Sequence, residues 1–213
     1  MKARPKTSAC RAGLRVGAIV LAAGRSSRMA PHNKLLEPVE GKPIVAHVAA
    51  VALASGANPV IVVTGFEASR IADTLHDLKV TIVRNPGFEG GLSTSLRTGL
   101  GALPLGSDGA LILLGDMPAV EVSVLGALMA AFTGRDGICV PVHHGQRGNP
   151  VLWGGNYFAE MMGLTGDVGA KRLLAAHRDR VTEVAVDSNG ILTDVDTPSD
   201  LARLKMLLGS NRS

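Results

Sequence analysis

The sequence predicts an α/β domain, a Rossmann-like three-layer fold with helices on both faces of a mostly parallel sheet. Three observations carry this. Short runs of Val, Ile, Leu and Ala alternate with longer Ala-rich stretches. Gly and Pro punctuate the junctions between them. Aromatics make up only 3% of a chain that is 46% hydrophobic, so the core must be aliphatic, as strands buried on both faces require.

The elements come in order along the chain. Val16 to Ala22 is an apolar run leading into Ala23-Gly24, a buried strand entering a loop. Lys42 to Ala54 reads as a helix, with Pro43 near its start and Gly56 beyond its end. Val60 to Val63 is a strand, Glu67 to Leu75 a helix and Val80 to Val83 a strand. Ser93 to Leu103 is a helix that Ser93 is placed to cap. Ala110 to Leu114 is a strand ending at Gly115-Asp116, followed by a helix from Glu121 to Phe132 and a strand from Gly137 to Val140. Alternation at this spacing builds right-handed βαβ units. After Pro141 the rhythm changes. Strands are expected at Val151 to Trp153 and Val181 to Val186, and helices at Val168 to His177 and Ser199 to Leu208. One domain is thus expected over residues 16–208. Its part from roughly 142 to 190 completes a sheet edge and binds an acceptor. Residues 1–15 are expected to form a disordered arm.

Charge narrows the function. The net charge is +4, but Lys2, Arg4, Lys6, Arg11 and Arg15 lie in a leading stretch without acidic residues, and the remainder is close to neutral. With few aromatics to stack bases, the body is not expected to bind nucleic acid. No apolar run is long enough to span a bilayer, and residues 1–15 lack the apolar stretch of a secretory signal. Cys10 and Cys139 form neither a disulfide framework nor a metal-ligand spacing. A reduced, cytoplasmic protein without a membrane partner is expected.

The first loop carries the chemistry. Leu21-Ala22-Ala23-Gly24-Arg25-Ser26-Ser27-Arg28-Met29 is neither a Walker loop nor a Rossmann glycine triplet. Its small residues let backbone approach a base or ribose, and its N–H groups can cradle phosphate. Arg28 offers a forked cation and Lys34 a point charge. A tight turn with solvated arginines is the plainer alternative.

This stretch, followed by Asn33-Lys34-Leu35-Leu36 and Gly41-Lys42-Pro43, resembles the signature of the MobA-like NTP transferases. The resemblance continues through Asn85-Pro86, Gly91-Leu92-Ser93-Thr94-Ser95-Leu96, Gly115-Asp116-Met117-Pro118, Arg147-Gly148-Asn149-Pro150, Gly166-Asp167-Val168-Gly169-Ala170 and Asp194-Val195-Asp196-Thr197-Pro198. It implies a glycosyltransferase-A-like nucleotidyltransferase fold. Within the family it points to the molybdenum cofactor cytidylyltransferase branch. Ala30 and Lys171 depart from the pattern, standing where the family usually has Gly and Arg.

The resemblance implies that Asp116 and Asp196 hold Mg²⁺ against a triphosphate, which two carboxylates suffice to do. Local sequence leaves Asp116 open as a turn residue, Asp196 as a helix cap and Asp194 as the second ligand. The resemblance further implies that Arg28, Lys34 and Asp116 are catalytic. Leu21, Ala22, Ala23, Gly24, Gly91, Ser93 and Ser95 join them as nucleotide-binding residues. Cytidylyl-specific members carry Ala-Ala before the loop Gly, as Ala22-Ala23 does here; guanylyl-specific members carry Ala-Gly. CTP is therefore expected, with GTP second. Arg147, Asn149, Asp167 and Lys171 fall on the acceptor side, although turns alone explain the glycines around them. The expected acceptor is a phosphorylated pterin carrying molybdenum, and a molybdoenzyme of the xanthine dehydrogenase type is an expected recipient of the product. A sugar-phosphate nucleotidyltransferase and a non-catalytic cofactor chaperone are the competing readings.

Overall fold

The computed structural model describes residues 13–29, 31–166 and 170–210. Strand β1, Val16–Ala22, lies inside an eight-stranded sheet. All seven of its residues are buried, and their alternation sends Ala18, Val20 and Ala22 to one core and Ile19 and Leu21 to the other. Two short strands come next, β2 (Pro38–Val39) and β3 (Lys42–Pro43), and then helix α1 (Ile44–Ala54). The helix expected from Lys42 therefore starts two residues later. Glu40 and Gly41 turn the chain at positive φ, which draws Lys42 and Pro43 into antiparallel pairing with Val39 and Pro38.

Strand β4 (Val60–Thr64) pairs parallel with β1; after helix α2 (Ala68–Thr74), strand β5 (Thr81–Arg84) pairs parallel with β4 and forms one edge. Helix α3 spans Leu92–Gly101. Ser93 does not cap it. Gly91, at φ 91°, takes the cap position because the preceding turn ends in a conformation that side chains disfavour, and Ser93 falls inside the helix, fully buried. Strand β6 (Gly109–Leu114) then re-enters the sheet on the other side of β1, again parallel. Helix α4 (Val122–Ala131) leads to β7 (Ile138–His143), its short partner β8 (Gln146–Arg147) and β9 (Val151–Gly154), which inserts antiparallel between β6 and β7. Helices α5 (Phe158–Met162) and α6 (Lys171–Ala176) precede β10 (Val181–Ala185), the far edge, parallel to β7, and α7 (Pro198–Ser210) closes the chain. The start of the helix expected from Val168 lies outside the described residues, as do residues 1–12 of the expected arm.

The order is β10-β7-β9-β6-β1-β4-β5, a mostly parallel sheet between two helical layers. Residues of α1, α2, α4 and α7 pack in one core, and those of α3, α5 and α6 in the other. Chain direction reverses about β1: it runs outward to β4 and β5, then returns to β6. The loops after β1 and β6 meet there through a hydrogen bond from Gly115 N–H to the Leu21 carbonyl, and a crevice opens beside them at the carboxyl ends of the strands, where such sheets bind ligands. Among the described residues no helix is long and apolar enough to cross a membrane.

Candidate active site

The site begins where β1 ends. Ala23 is buried, Gly24 and Arg25 are exposed, and a turn at Ser27–Met29 tucks Met29 into the core. Asn33 organises the next turn of the chain. Its side chain is buried; Oδ1 accepts from the Leu35 N–H at 3.1 Å and from the Ser26 hydroxyl at 3.2 Å. This caps the short turn Lys34–Leu36 and, with Leu35 buried, aims Lys34 back across the crevice.

Asp116 arrives from β6. Gly115 N–H donates to the Leu21 carbonyl at 2.9 Å, and a Cβ at Gly115 would lie 2.9 Å from that oxygen, so only glycine lets the two strand ends approach this closely. Asp196 arrives from the segment before α7. Val195 N–H donates to the Asp116 carbonyl at 3.0 Å, which ties the two acidic segments together. Lys34 Nζ donates to Asp116 Oδ2 at 2.6 Å and to Asp196 Oδ1 at 2.7 Å. Arg28 pairs with the second oxygen of Asp196.

The helix-cap alternative for Asp196 is corrected here. Thr197 caps α7: its hydroxyl accepts from Asp200 N–H at 3.2 Å, and the Asp200 carboxylate accepts from Thr197 N–H at 2.9 Å. Asp196 is thereby left for the crevice. Burial would lower the Lys34 pKa, but Asp116 and Asp196 outweigh it and raise it above the ordinary lysine value. The hydrogen bond from Lys34 holds Asp196 below the usual carboxylate range, against a smaller opposing effect of desolvation, with the charges of Lys34 and Arg28 adding to it.

A cavity of about 760 Å³ opens over these groups. Of the residues expected to bind nucleotide, it brings together Leu21, Ala23, Gly24, Arg28, Lys34, Gly91, Ser95 and Asp116, with Asp196 beside them. It does not include Ala22 or Ser93. Ala22 faces the helical core, fully buried against Gly115, and the Ser93 hydroxyl is buried without a hydrogen-bond partner. Ser95 does face the cavity, and its oxygen accepts from the buried Asn85 side chain at 3.0 Å. Among the lining residues that sequence reasoning missed are Arg25, Phe88 and Glu89. Arg25 pairs with Glu89 and lies over the Phe88 ring, 5.7 Å from its centroid. The signal for Arg25 was its place in the loop; for the other two, local sequence offered none.

A second cavity, about 910 Å³, shares Leu21, Leu92 and Leu114 with the first. Its walls are mainly aliphatic, with Met117 and Trp153. The polar groups at it are Arg147, Asn149, Arg178 and Asp194. Arg147 and Asn149 were expected; Arg178 was not. Arg147 is paired with Glu183 at 2.7 Å, whereas Arg178 makes no ion pair among the described residues. Asp194 lines this cavity and not the first, whereas Asp196 lines the first beside Asp116. Asp167 and the side chain of Lys171 lie outside the described residues.

Residues 18–181 match the MobA-like NTP transferase domain. The chain belongs to that family. It is 33% identical over 195 residues to the purine catabolism protein PucB of Bacillus subtilis (strain 168), covering 85% of this chain and 92% of that one. It is 25% identical over 193 residues to the molybdenum cofactor cytidylyltransferase of Escherichia coli (strain K12), covering 89% and 95% respectively. Among solved structures, a nucleotidyl transferase from Methanothermobacter thermautotroptrophicus (Mth528) superposes with a TM-score of 0.83 at 27% identity, over 94% of this chain and 100% of that one. Rv0371c of Mycobacterium tuberculosis H37Rv in complex with manganese superposes at 0.77 with 28% identity, over 90% and 98%.

As a MobA-like nucleotidyltransferase, the chain has a crevice suited to phosphate chemistry. Two cations and two carboxylates meet there in one connected set of ion pairs. A divalent cation fits this set. Asp116 Oδ1 is buried without a partner, and one or two carboxylates plus phosphate oxygens and water are what Mg²⁺ commonly takes. Among the described residues no group of three or more acidic, His or Cys side chains competes as a metal site. Cys139 is buried, which pushes its thiol up to about 11 and leaves it inert as a nucleophile.

Proposed function

We propose that this nucleotidyltransferase transfers CMP from CTP to the phosphate of molybdenum-bearing molybdopterin, releasing pyrophosphate, in the cytoplasm. The observation that carries the reading is the convergence of Asp116 and Asp196 beside the Gly24 loop, next to a second, largely aliphatic cavity that shares a wall with the first. Two substrates can then meet at one boundary.

The residues divide the work. Leu21, Ala23, Gly24, Gly91 and Ser95 take the nucleoside, Ser95 offering a hydroxyl and the loop its backbone. The Ala23 methyl removes space that a purine would fill, which favours CTP over GTP. Arg28 and Lys34 bind the β- and γ-phosphates and offset charge on the leaving pyrophosphate. Asp116 and Asp196 would hold the divalent cation, which when bound neutralises phosphate charge. Arg147 and Asn149, joined by Asp167 and Lys171, orient the acceptor. An acceptor phosphate oxygen forms a bond to the α-phosphorus while the bond from that phosphorus to the bridging oxygen breaks. The acceptor is already anionic near neutral pH, so no general base is required. Catalysis consists of placement and charge compensation.

The names of the relatives support this reading. One is a molybdenum cofactor cytidylyltransferase. The other is a purine catabolism protein, which suits delivery of the product to a xanthine dehydrogenase-type molybdoenzyme. Pyrophosphate release from CTP, GTP and UTP, each with molybdenum-bearing pterin or with sugar phosphates, tests the proposal. CTP with the pterin is expected to be fastest. Preference for GTP would make the protein a guanylyltransferase, and turnover confined to sugar phosphates would replace the acceptor. Tight binding without pyrophosphate release would favour a chaperone.

A further inference from the structure

The four charged groups at the floor of the first cavity pair with one another and leave Asp116 Oδ1 without a partner. Lys34, its side chain only 13% exposed, spends its ammonium on Asp116 Oδ2 and Asp196 Oδ1 together. Arg28 takes the other Asp196 oxygen. Two positive and two negative charges therefore balance without any ligand. Yet only Asp116 Oδ1 is left open to a divalent cation, a cation held by both carboxylates must also take an oxygen that Lys34 or Arg28 now holds, and those two side chains are the ones a triphosphate must use.

We propose that Lys34 is the resident counter-ion of the carboxylate pair, so that a divalent cation can bridge both carboxylates only by displacing it. The inference rests on the assignment of Asp116 and Asp196 as metal ligands. Its physical basis is competition. Two carboxylates held together by the Val195–Asp116 backbone bond repel each other unless a cation lies between them. Lys34 fills that need, and the Asn33 cap with the buried Leu35 keeps its backbone close enough to do so. A long, flexible stem on a fixed backbone can swing. A triphosphate gives Lys34 and Arg28 new anionic partners at the moment they leave the carboxylates. The exchange conserves charge: the cation takes the carboxylates and the two side chains take phosphate oxygens. Metal loading is thereby biased toward the nucleotide-bound protein, and by reciprocity nucleotide binding toward the metal-bound one.

The test titrates Mn²⁺ alone into the full chain, with free Mn²⁺ read by electron paramagnetic resonance. Wild type is compared with Lys34→Met, Lys34→Arg, Arg28→Met and Asp116→Asn. Lys34→Met is expected to bind Mn²⁺ roughly tenfold or more tightly than wild type, since a charge-assisted hydrogen-bonded competitor is gone. Lys34→Arg keeps the competing charge and is expected to remain close to wild type. Arg28 is exposed, so Arg28→Met tests the same competition in a variant whose fold is not at stake, and a tightening of roughly two- to fivefold is expected. Unchanged or weaker Mn²⁺ binding in Lys34→Met would overturn the proposal while leaving the metal site standing. If Lys34→Met does not fold, the same result in Arg28→Met overturns it. Mn²⁺ binding that survives Asp116→Asn would overturn the ligand assignment itself, and the proposal with it.

Discussion

The two cavities share three leucines and little else. The first holds its charges as an internally paired cluster of Arg28, Lys34, Asp116 and Asp196, drawn from three short loops. The second is walled by aliphatic side chains from both ends of the chain and has one cation, Arg178, with no ion-pair partner among the described residues. The difference teaches how the labour is divided. On the proposed function, the polar cavity supplies charge compensation and needs each group in place. The apolar one supplies shape and needs few. The segment 189–196 joins them: the Ile191 carbonyl accepts from Asn149 N–H at 2.9 Å, and Gly148 packs so close to that carbonyl that a Cβ there would lie 2.3 Å away.

This division can be broken in either cavity. Lys34→Ala removes a charge from the polar side and is expected to lower turnover by roughly 100- to 1,000-fold, with the acceptor KM little changed. Steady-state pyrophosphate release checks it; an effect confined to the acceptor KM would merge the two cavities into one function. Arg178→Ala is expected to raise the acceptor KM by roughly tenfold, with the nucleotide KM unchanged, in the same assay. Ala23→Gly opens space in the first cavity and is expected to improve GTP relative to CTP by up to about tenfold, read as a ratio of kcat/KM values.

The smallest effect is on stability against pH. Asp196 is depressed, so its contribution is present above the ordinary carboxylate range and lost as pH falls through its folded value. Lys34 is raised, so its contribution is present below the ordinary lysine range and lost as pH rises through its folded value. Denaturant midpoints should therefore be flat between roughly pH 5 and 10 as far as this cluster is concerned. Asp196→Asn should flatten the fall below that window, and an unchanged acid limb would remove Asp196 from the cluster.

Much of this was legible in the sequence because it is local. Buried parallel strands are continuous aliphatic runs, so β1, β4 and β6 stood out, and the loop from Leu21 to Met29 came directly after one of them. Asp116 was readable as a strand-end residue. The misreadings arose where tertiary context decided. Ala22 and Ser93 lie in loop and helix-start motifs, yet each faces a packed interior. Lys42 and Pro43 have helical neighbours but pair as a strand. Local sequence could not choose between Asp194 and Asp196, because their sides depend on the buried Val195 between them and on the Thr197–Asp200 cap. Arg178, Phe88 and Glu89 reach their cavities only through long-range folding, which no spacing encodes.

Asp194 and Asp196 give the sharpest test, because they are two residues apart and line different cavities. Pyrophosphate release, measured against divalent-cation concentration, should fall roughly 100-fold or more in Asp196→Asn. Asp194→Asn should keep its turnover and metal requirement and differ only in acceptor KM. The reverse pattern, with Asp194 essential and Asp196 dispensable, would contradict the assignment on which the mechanism stands.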